Sequence, residues 1–89
     1  MISQLSEDFL DCFRKLPEGI KRTARKNYRL WKENPSYPSL DFKRVHTRRP
    51  VYSVRVGIGW RALGIWEGDT IVWFWIGPHG AYERLLEQL

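Results

Sequence analysis

The chain contains little cysteine and histidine and no long apolar run. One cysteine and two histidines, far apart in sequence, form neither an internal disulfide nor a recognised metal-ligand spacing. No apolar stretch reaches the roughly 18 residues that a membrane-spanning helix needs. The glycines form no phosphate loop, because Gly57-Ile58-Gly59 links two predicted strands and does not open a helix. From these absences we expect no metal ion, no cofactor and no membrane segment.

The amino terminus also lacks a basic leader. Glu7, Asp8 and Asp11 occur among its apolar residues, which is unlike a secretory signal peptide. The single cysteine, Cys12, lies among apolar residues at helical spacing, and we interpret it as a core thiol rather than a nucleophile. An unpaired thiol of this kind is typical of the reducing cytoplasm. The sequence therefore predicts a cytoplasmic protein.

Apolar and basic residues are abundant. The apolar content of 43%, with 15% aromatic residues, is typical of a folded chain, and residues 1–89 are predicted to form a single domain. Residues 14–61 hold fourteen lysines and arginines but three acidic residues, a balance of +11, whereas the remainder sums to −6. Such a basic block indicates a polyanionic partner, because contact with phosphates releases counterions. An acidic protein partner or a solvated helix face also fits this charge.

Two amphipathic helices are predicted in the first third of the chain. Apolar residues recur at helical spacing from Ser6 to Leu16, and Ser6 suits the N-cap position. Pro17 interrupts this pattern, and a second helix with a strongly basic surface is predicted from Glu18 to about Glu33. Because the connection is short, the two helices are expected to form a hairpin.

The period then changes to two, which predicts strands. Four strands are placed near residues 40–46, 51–57, 59–67 and 70–77, and their short connections make neighbours antiparallel. The last strand is apolar on both faces, so we expect the helical hairpin to cover one side and partial cover on the other. A short helix is expected from about Gly80. The predicted fold class is α+β, with an amino-terminal helical hairpin packed on an antiparallel sheet of about four strands and a short carboxy-terminal helix.

Four side chains of the second half are suited to phosphate chemistry. The strands carry Arg55 and Arg61, and the end of the last strand delivers His79 and Tyr82. Two guanidinium groups, an imidazole and a phenol can grip a phosphate and move protons around it. Three of them have an alternative role: Arg61 can pair with Glu67 or Asp69 of the next turn, His79 can be a capping or surface residue, and Tyr82 can be a core anchor.

Further basic and aromatic residues have two interpretations. A basic turn between the first two strands either contacts RNA or is merely exposed, and it contains Lys43, Arg44, His46, Arg48 and Arg49. Four tryptophans are predicted to pack in the core rather than to stack on bases, namely Trp60, Trp66, Trp73 and Trp75. Strand alternation places Trp73 and Trp75 together on the side opposite Phe74.

Several short segments occur in a characteristic order and cover most of the chain: Leu16-Pro17, Tyr28-Arg29-Leu30-Trp31, Asn34-Pro35, Pro38-Ser39-Leu40, Phe42-Lys43, Tyr52-Ser53-Val54-Arg55-Val56, Trp60-Arg61-Ala62-Leu63-Gly64, Trp75-Ile76-Gly77, His79 and Tyr82. Together they resemble the RelE/ParE superfamily of bacterial type II toxins. The resemblance implies a compact α+β fold and neutralisation by a cognate antitoxin. RelE-like members cleave messenger RNA in the ribosomal A site, whereas ParE-like members poison DNA gyrase.

The resemblance also implies roles for individual residues. Arg61 matches the arginine of the third-strand Tyr-Arg segment that contacts the scissile phosphate in RelE-like nucleases, and Arg55 matches a basic position on the preceding strand. His79 stands where nucleolytic members carry Arg or His, and Tyr82 resembles the aromatic residue that follows. Ser53 departs from the pattern, because RelE itself has a lysine there. No second histidine or acidic residue obviously matches the general bases of other subfamilies.

These matches predict a metal-independent, ribosome-dependent messenger RNA endoribonuclease that inhibits translation and is held inactive by an antitoxin. The alternatives are a ParE-like toxin that acts on DNA gyrase without catalysis, and a degenerate member that only binds an antitoxin or RNA. Because this chain begins almost directly with a helix, the amino-terminal strand usual in the family is expected to be missing or very short.

Overall fold

The computed structural model describes residues 1–89, which form one mixed sheet and helices on both of its faces. In chain order the elements are β1 (Ile2–Leu5), α1 (Glu7–Arg14), α2 (Glu18–Glu33), a short 3-10 helix (Pro38–Leu40), β2 (Lys43–Arg44), β3 (Val51–Gly57), β4 (Trp60–Glu67), β5 (Thr70–Pro78) and α3 (His79–Gln88). The strand order is β1-β5-β4-β3-β2, and only β1 is parallel to its neighbour. The predicted α+β class is confirmed, with a fifth strand added. No helix combines the length and apolarity that a membrane span requires.

The two amino-terminal helices begin and end close to the predicted positions. The Ser6 hydroxyl accepts a hydrogen bond from the backbone N–H of Phe9 at 3.1 Å, so Ser6 caps α1 as expected. Helix α2 ends where Asn34 turns to extended backbone before Pro35. Helix α1 packs on β5 and α2 packs on β3. The predicted hairpin is therefore anchored mainly by contacts of each helix with the sheet.

The sheet separates two apolar clusters. The larger one lies under α1 and α2 and contains Phe9, Ala24, Trp31, Val54, Ile71 and Trp73 among its buried residues. The smaller one lies under α3 and contains Val51, Leu63 and Tyr82. Apolar side chains on both faces of β5 therefore find cover on both sides, as the sequence predicts. This arrangement places α3 over the face of the sheet that carries the candidate site residues.

A bulge in β5 changes the predicted sides of the tryptophans. Leu63 pairs with Trp75 and Gly64 pairs with Trp73, so Phe74 is an extra residue opposite β4. Trp73 lies in the core under α1 and α2, whereas Trp75 packs in the α3 cluster. The prediction that both indoles share one side was wrong, because one inserted residue reverses the alternation. Core packing of both indoles is confirmed.

Glycines make room for these two indoles. A Cβ atom at Gly64 would lie 2.8 Å from the Trp73 ring, and one at Gly77 would lie 2.6 Å from the Trp75 ring. Real side chains do not approach so closely. Both positions therefore require glycine for packing rather than for backbone conformation.

The two edge strands are short. β1 has four residues, and it is held by backbone pairing with β5 and by Ser3, whose hydroxyl lies 2.6 Å from the Tyr28 hydroxyl and accepts a bond from the Trp73 indole N–H at 3.1 Å. β2 covers only residues 43–44 of the predicted 40–46. The difference arises because Leu40 ends a 3-10 helix and Asp41 takes a left-handed backbone, with φ 44°. This break directs Asp41 towards the sheet face under α3.

Candidate functional site

A pocket of about 410 Å³ opens on the α3 side of the sheet, beside the turn that joins β3 and β4. Its lining includes all four residues that the sequence suggested for phosphate chemistry, namely Arg55, Arg61, His79 and Tyr82. Asp41 before β2 and Lys43 at its start line it as well, with four residues at the β3–β4 connection, Gly57, Ile58, Gly59 and Trp60. Side chains separated by about forty residues in sequence are therefore brought into one cavity.

Sheet register and one backbone contact produce this convergence. Arg55 and Arg61 are direct cross-strand partners in the β3–β4 ladder, so their side chains leave the same face. The backbone N–H of His79 donates to the carbonyl oxygen of Gly59 at 2.8 Å, which joins the start of α3 to the hairpin turn. Like charges opposite each other in a sheet are destabilising. Two paired arginines facing one pocket therefore indicate a site that accepts an anion.

Arg61 is a buried cation whose Nε and Nη2 atoms are paired within the chain. It is 4% exposed, and its Nε–H donates to the Ser53 hydroxyl at 2.6 Å. Its Nη2 donates to the Asp41 carbonyl oxygen at 3.0 Å and to Oδ2 of the same residue at 3.2 Å. The Tyr82 ring centroid lies 5.4 Å from the Arg61 Cζ atom. The alternative pairing of Arg61 with Glu67 or Asp69 is wrong, because the carboxylate that binds it is Asp41.

Asp41 is a pocket residue that was not among the candidates taken from the sequence. Its Oδ2 also lies 3.2 Å from Lys43 Nζ, so one carboxylate oxygen bridges two cations of the pocket. The hydrogen bond from Lys43, with the charges of Lys43 and Arg61, holds the pKa of the Asp41 carboxyl below its ordinary value, against the opposing effect of burial. A signal was present in the sequence, because Asp41 is the only acidic residue between Glu33 and Glu67.

His79 is the first residue of α3 and has an acidic neighbour one turn later. Its Nδ1 lies 3.1 Å from Oε1 of Glu83, and the two side chains are 51% and 63% exposed. With Nδ1 directed at this carboxylate, Nε2 is the ring nitrogen left for a substrate. The Tyr82 ring is close to both Arg61 and His79, and its centroid lies 5.4 Å from that of the His79 ring. Glu83 was not identified from the sequence, although its spacing of four residues from His79 was visible.

Arg55 is the pocket arginine without a partner in the chain. It is exposed and makes neither an ion pair nor a side-chain hydrogen bond within the chain, in contrast to Arg61. The pocket thus contains three cations, Lys43, Arg55 and Arg61, and one carboxylate, Asp41. It is positive overall, and its free donors are suited to the oxygens of a phosphate.

The basic turn is only partly connected to the pocket. Of its five basic residues, Lys43 alone lines the cavity. His46 instead organises the turn, because its Nδ1 accepts the backbone N–H groups of Arg48 at 3.1 Å and Arg49 at 2.9 Å. Arg44 donates from Nε to the His46 carbonyl oxygen at 2.9 Å. Arg48 and Arg49 are exposed and lie outside the pocket, where they extend the positive surface.

Comparisons with known proteins identify both the sequence family and the fold. The family model described as the ParE-like toxin domain matches residues 18–84. Similar solved structures include the RelB–RelE antitoxin–toxin complex from Methanococcus jannaschii, with a TM-score of 0.73 and 18% identity over 92% of this chain and 96% of that chain. YafQ from E. coli strain BL21(DE3) has a TM-score of 0.72 and 12% identity over 90% and 94% of the two chains.

The isolated E. coli RelE toxin has a TM-score of 0.67 and 14% identity over 98% of this chain and 96% of its own. At these identities the likeness shows the shared fold. No curated protein matches the chain in sequence. The aligned structures nevertheless cover 90% or more of the chain.

Proposed function

The chain belongs to the ParE-like toxin domain family, and on this premise we propose that it is the toxin of a type II toxin–antitoxin system that cleaves messenger RNA on the ribosome without a metal ion. The observation that carries the proposal is the convergence of Arg55, Arg61, His79 and Tyr82 in one positive pocket. Phosphoryl transfer is promoted by cations that stabilise the developing negative charge and by a side chain that transfers protons.

The proposed reaction is an attack of a ribose 2′-hydroxyl on the adjacent phosphorus. The bond from phosphorus to the 5′ oxygen breaks, which leaves a 2′,3′-cyclic phosphate and a 5′-hydroxyl. The 2′-hydroxyl loses its proton and the leaving 5′ oxygen gains one. His79 Nε2 exchanges a proton in one of these transfers, because Nδ1 is directed at Glu83. The ribosome supplies the orientation of the messenger, and such orientation contributes roughly 7–11 kcal/mol in favourable cases.

The two arginines have different roles in this proposal. Arg55 is exposed and unpaired, so its guanidinium is free to bind the phosphate. Arg61 is buried and held by Ser53 and Asp41, so it is a preorganised charge beside the position where negative charge accumulates. A preorganised charge stabilises the transition state without reorganisation during the reaction. The exposed Arg48 and Arg49 extend the positive surface for the RNA backbone.

We propose a cognate antitoxin as the protein partner. The RelB–RelE structure from M. jannaschii is a complex of an antitoxin with a toxin, and a similar complex comes from Pyrococcus horikoshii OT3. The positive pocket and the basic outer surface of α2 suit acidic or amphipathic antitoxin segments. Co-purification of the chain with the product of a neighbouring small gene, and rescue of growth by that product, would support this partner.

Induced expression followed by primer extension on cellular transcripts tests the nuclease. Wild type is expected to produce codon-phased cuts, and His79→Ala is expected to abolish them while the protein stays folded. Lys26→Ala, which removes an exposed charge of α2 outside the pocket lining, is the matched control and is expected to keep the cut pattern. Unbroken transcripts together with gyrase trapped on cleaved DNA would refute the nuclease and favour the ParE-like activity that the family description suggests.

A further inference from the structure

We infer that Asp41 is a positioning residue of the pocket, which fixes the Arg61 guanidinium so that only Nη1 is left for the substrate phosphate. The inference rests on the proposed function, because it takes an RNA phosphate as the occupant of the pocket. Its physical basis is the distribution of the hydrogen bonds that Arg61 already makes.

Arginine has five N–H donors in a rigid plane: one on Nε and two on each terminal nitrogen. In Arg61 the Nε donor is used by Ser53, and both Nη2 donors are used by Asp41, one by the carbonyl oxygen and one by the carboxylate. Nη1 has no partner within the chain. Three bonds to a planar group determine both its plane and its rotation. The free edge of the guanidinium is thus set by Asp41 and Ser53.

The backbone conformation of Asp41 allows both of its hydrogen bonds to Arg61. With φ 44° and ψ 47° it is the only non-glycine residue of the chain with a positive φ. Its N–H donates to the Pro38 carbonyl oxygen at 3.2 Å, which closes the 3-10 helix before it. The left-handed conformation presents the carbonyl oxygen and the carboxylate of one residue to the same nitrogen of Arg61. Backbone conformations of this kind are concentrated at functional sites.

The charge of Asp41 opposes simple RNA binding. Its carboxylate is the one acidic group of a pocket whose lysine and arginines are Lys43, Arg55 and Arg61, and it pairs with both Lys43 and Arg61. A residue whose role was to attract RNA would not be acidic. The positioning role therefore predicts two opposite effects of removing this charge: RNA binding becomes tighter, and cleavage becomes slower.

Asp41→Asn separates these effects. We expect the single-turnover rate of cleavage on programmed ribosomes to fall about 10- to 100-fold. Losses of this size are typical for residues that orient a functional group without touching the substrate. We expect the Kd for an RNA with a 2′-deoxyribose at the cleavage position to fall about 2- to 5-fold at low salt, and this gain to shrink as salt rises. The matched control is Asp69→Asn, an exposed aspartate outside the pocket, which is expected to change neither value.

Ser53→Ala is the second variant, and its folding is checked by urea denaturation. It removes the Nε anchor of Arg61 without changing any charge. It is expected to slow cleavage without tightening RNA binding. Equal cleavage rates for wild type and a folded Asp41→Asn, or parallel loss of binding and cleavage in Asp41→Asn, would overturn the positioning role.

A readout that does not depend on cleavage distinguishes failure of this inference from failure of the proposed function. A guanidinium held on two nitrogens rotates slowly about its C–N bonds. The NMR signals of the Arg61 Nη protons are therefore expected to be resolved in wild type and to exchange faster in Asp41→Asn, which loses the charge-assisted bond to Nη2 but keeps the backbone carbonyl bond. Absence of cleavage by wild type would refute the nuclease alone. Unchanged Arg61 signals in Asp41→Asn would refute the positioning role, whatever the activity.

Discussion

Replacing Arg61 by alanine is expected to reduce stability as well as activity. The side chain is 4% exposed and makes three hydrogen bonds, and Ser53, which loses its partner, is 0% exposed. A buried polar group without a partner costs about 1–3 kcal/mol. Breaking the bonds to Asp41 costs less stability than breaking a fully buried ion pair. The Asp41 side chain is 39% exposed to water, and it keeps its ion pair with Lys43.

Together these effects predict that Arg61→Ala lowers the free energy of unfolding by about 2–4 kcal/mol. With a urea m-value of about 1–2 kcal/mol/M for a chain of this size, the midpoint should fall by roughly 2 M. The fluorescence of the five tryptophans reports unfolding directly. Natural domains have about 5–15 kcal/mol of stability, so the variant is expected to remain folded in the absence of urea. Cleavage can then be measured on the folded protein.

Arg55→Ala is the matched control for this experiment. Arg55 is the cross-strand partner of Arg61, but it is exposed and unpaired. Its removal deletes a like charge beside Arg61 and is expected to change stability by less than about 0.5 kcal/mol. Equal loss of stability in the two variants would show that the hydrogen bonds of Arg61 do not carry the difference, and the energetic reasoning would be refuted.

Three further outcomes are expected. His79→Ala should slow single-turnover cleavage roughly 100-fold or more with less than about 0.5 kcal/mol change in stability, since its pair with Glu83 is exposed; a wild-type rate would exclude His79 from the chemistry. Since the pKa of Asp41 is lowered in the fold by Lys43 and Arg61, its carboxylate stabilises the protein above the unfolded pKa of about 3.9, and this contribution is lost as pH falls through the lower folded value. Urea titrations at several pH values should therefore show the stability advantage of wild type over Asp41→Asn shrinking below about pH 4. Gly64→Ala should cost about 1–3 kcal/mol because its Cβ meets Trp73, whereas Gly19→Ala on exposed α2 should cost nothing in the same denaturation assay.

Local patterns in the sequence predict most of the secondary structure. Ser6, Pro17 and Asn34-Pro35 mark the ends of α1 and α2 because capping and proline effects act within a few residues. The predicted strands at 51–57, 59–67 and 70–77 agree with β3, β4 and β5 to within one residue. The short turn after Gly57 forces β3 and β4 to pair, so the proximity of Arg55 and Arg61 was also predictable.

Other features depend on contacts that no local pattern contains. Alternation along β5 does not show that Phe74 is an inserted residue, so the sides of Trp73 and Trp75 required the register with β4. β1 joins the sheet only through a strand about seventy residues later in the chain, beside which its four residues gain their hydrogen bonds. β2 begins only at Lys43, because Asp41 has a left-handed backbone rather than an extended one. In that conformation Asp41 contacts Arg61, which lies twenty residues away in sequence.

The sequence by itself determined the α+β class, the family resemblance and the residue types of the pocket, because these follow from periodicity, turns and short motifs. Only the tertiary structure decided how the candidate residues divide their roles. Burial and hydrogen bonding make Arg61 a fixed charge and leave Arg55 free, although both are arginines on adjacent strands. Asp41 enters the site because a left-handed turn brings a distant carboxylate to a buried cation, whose burial requires a partner that sequence spacing cannot name.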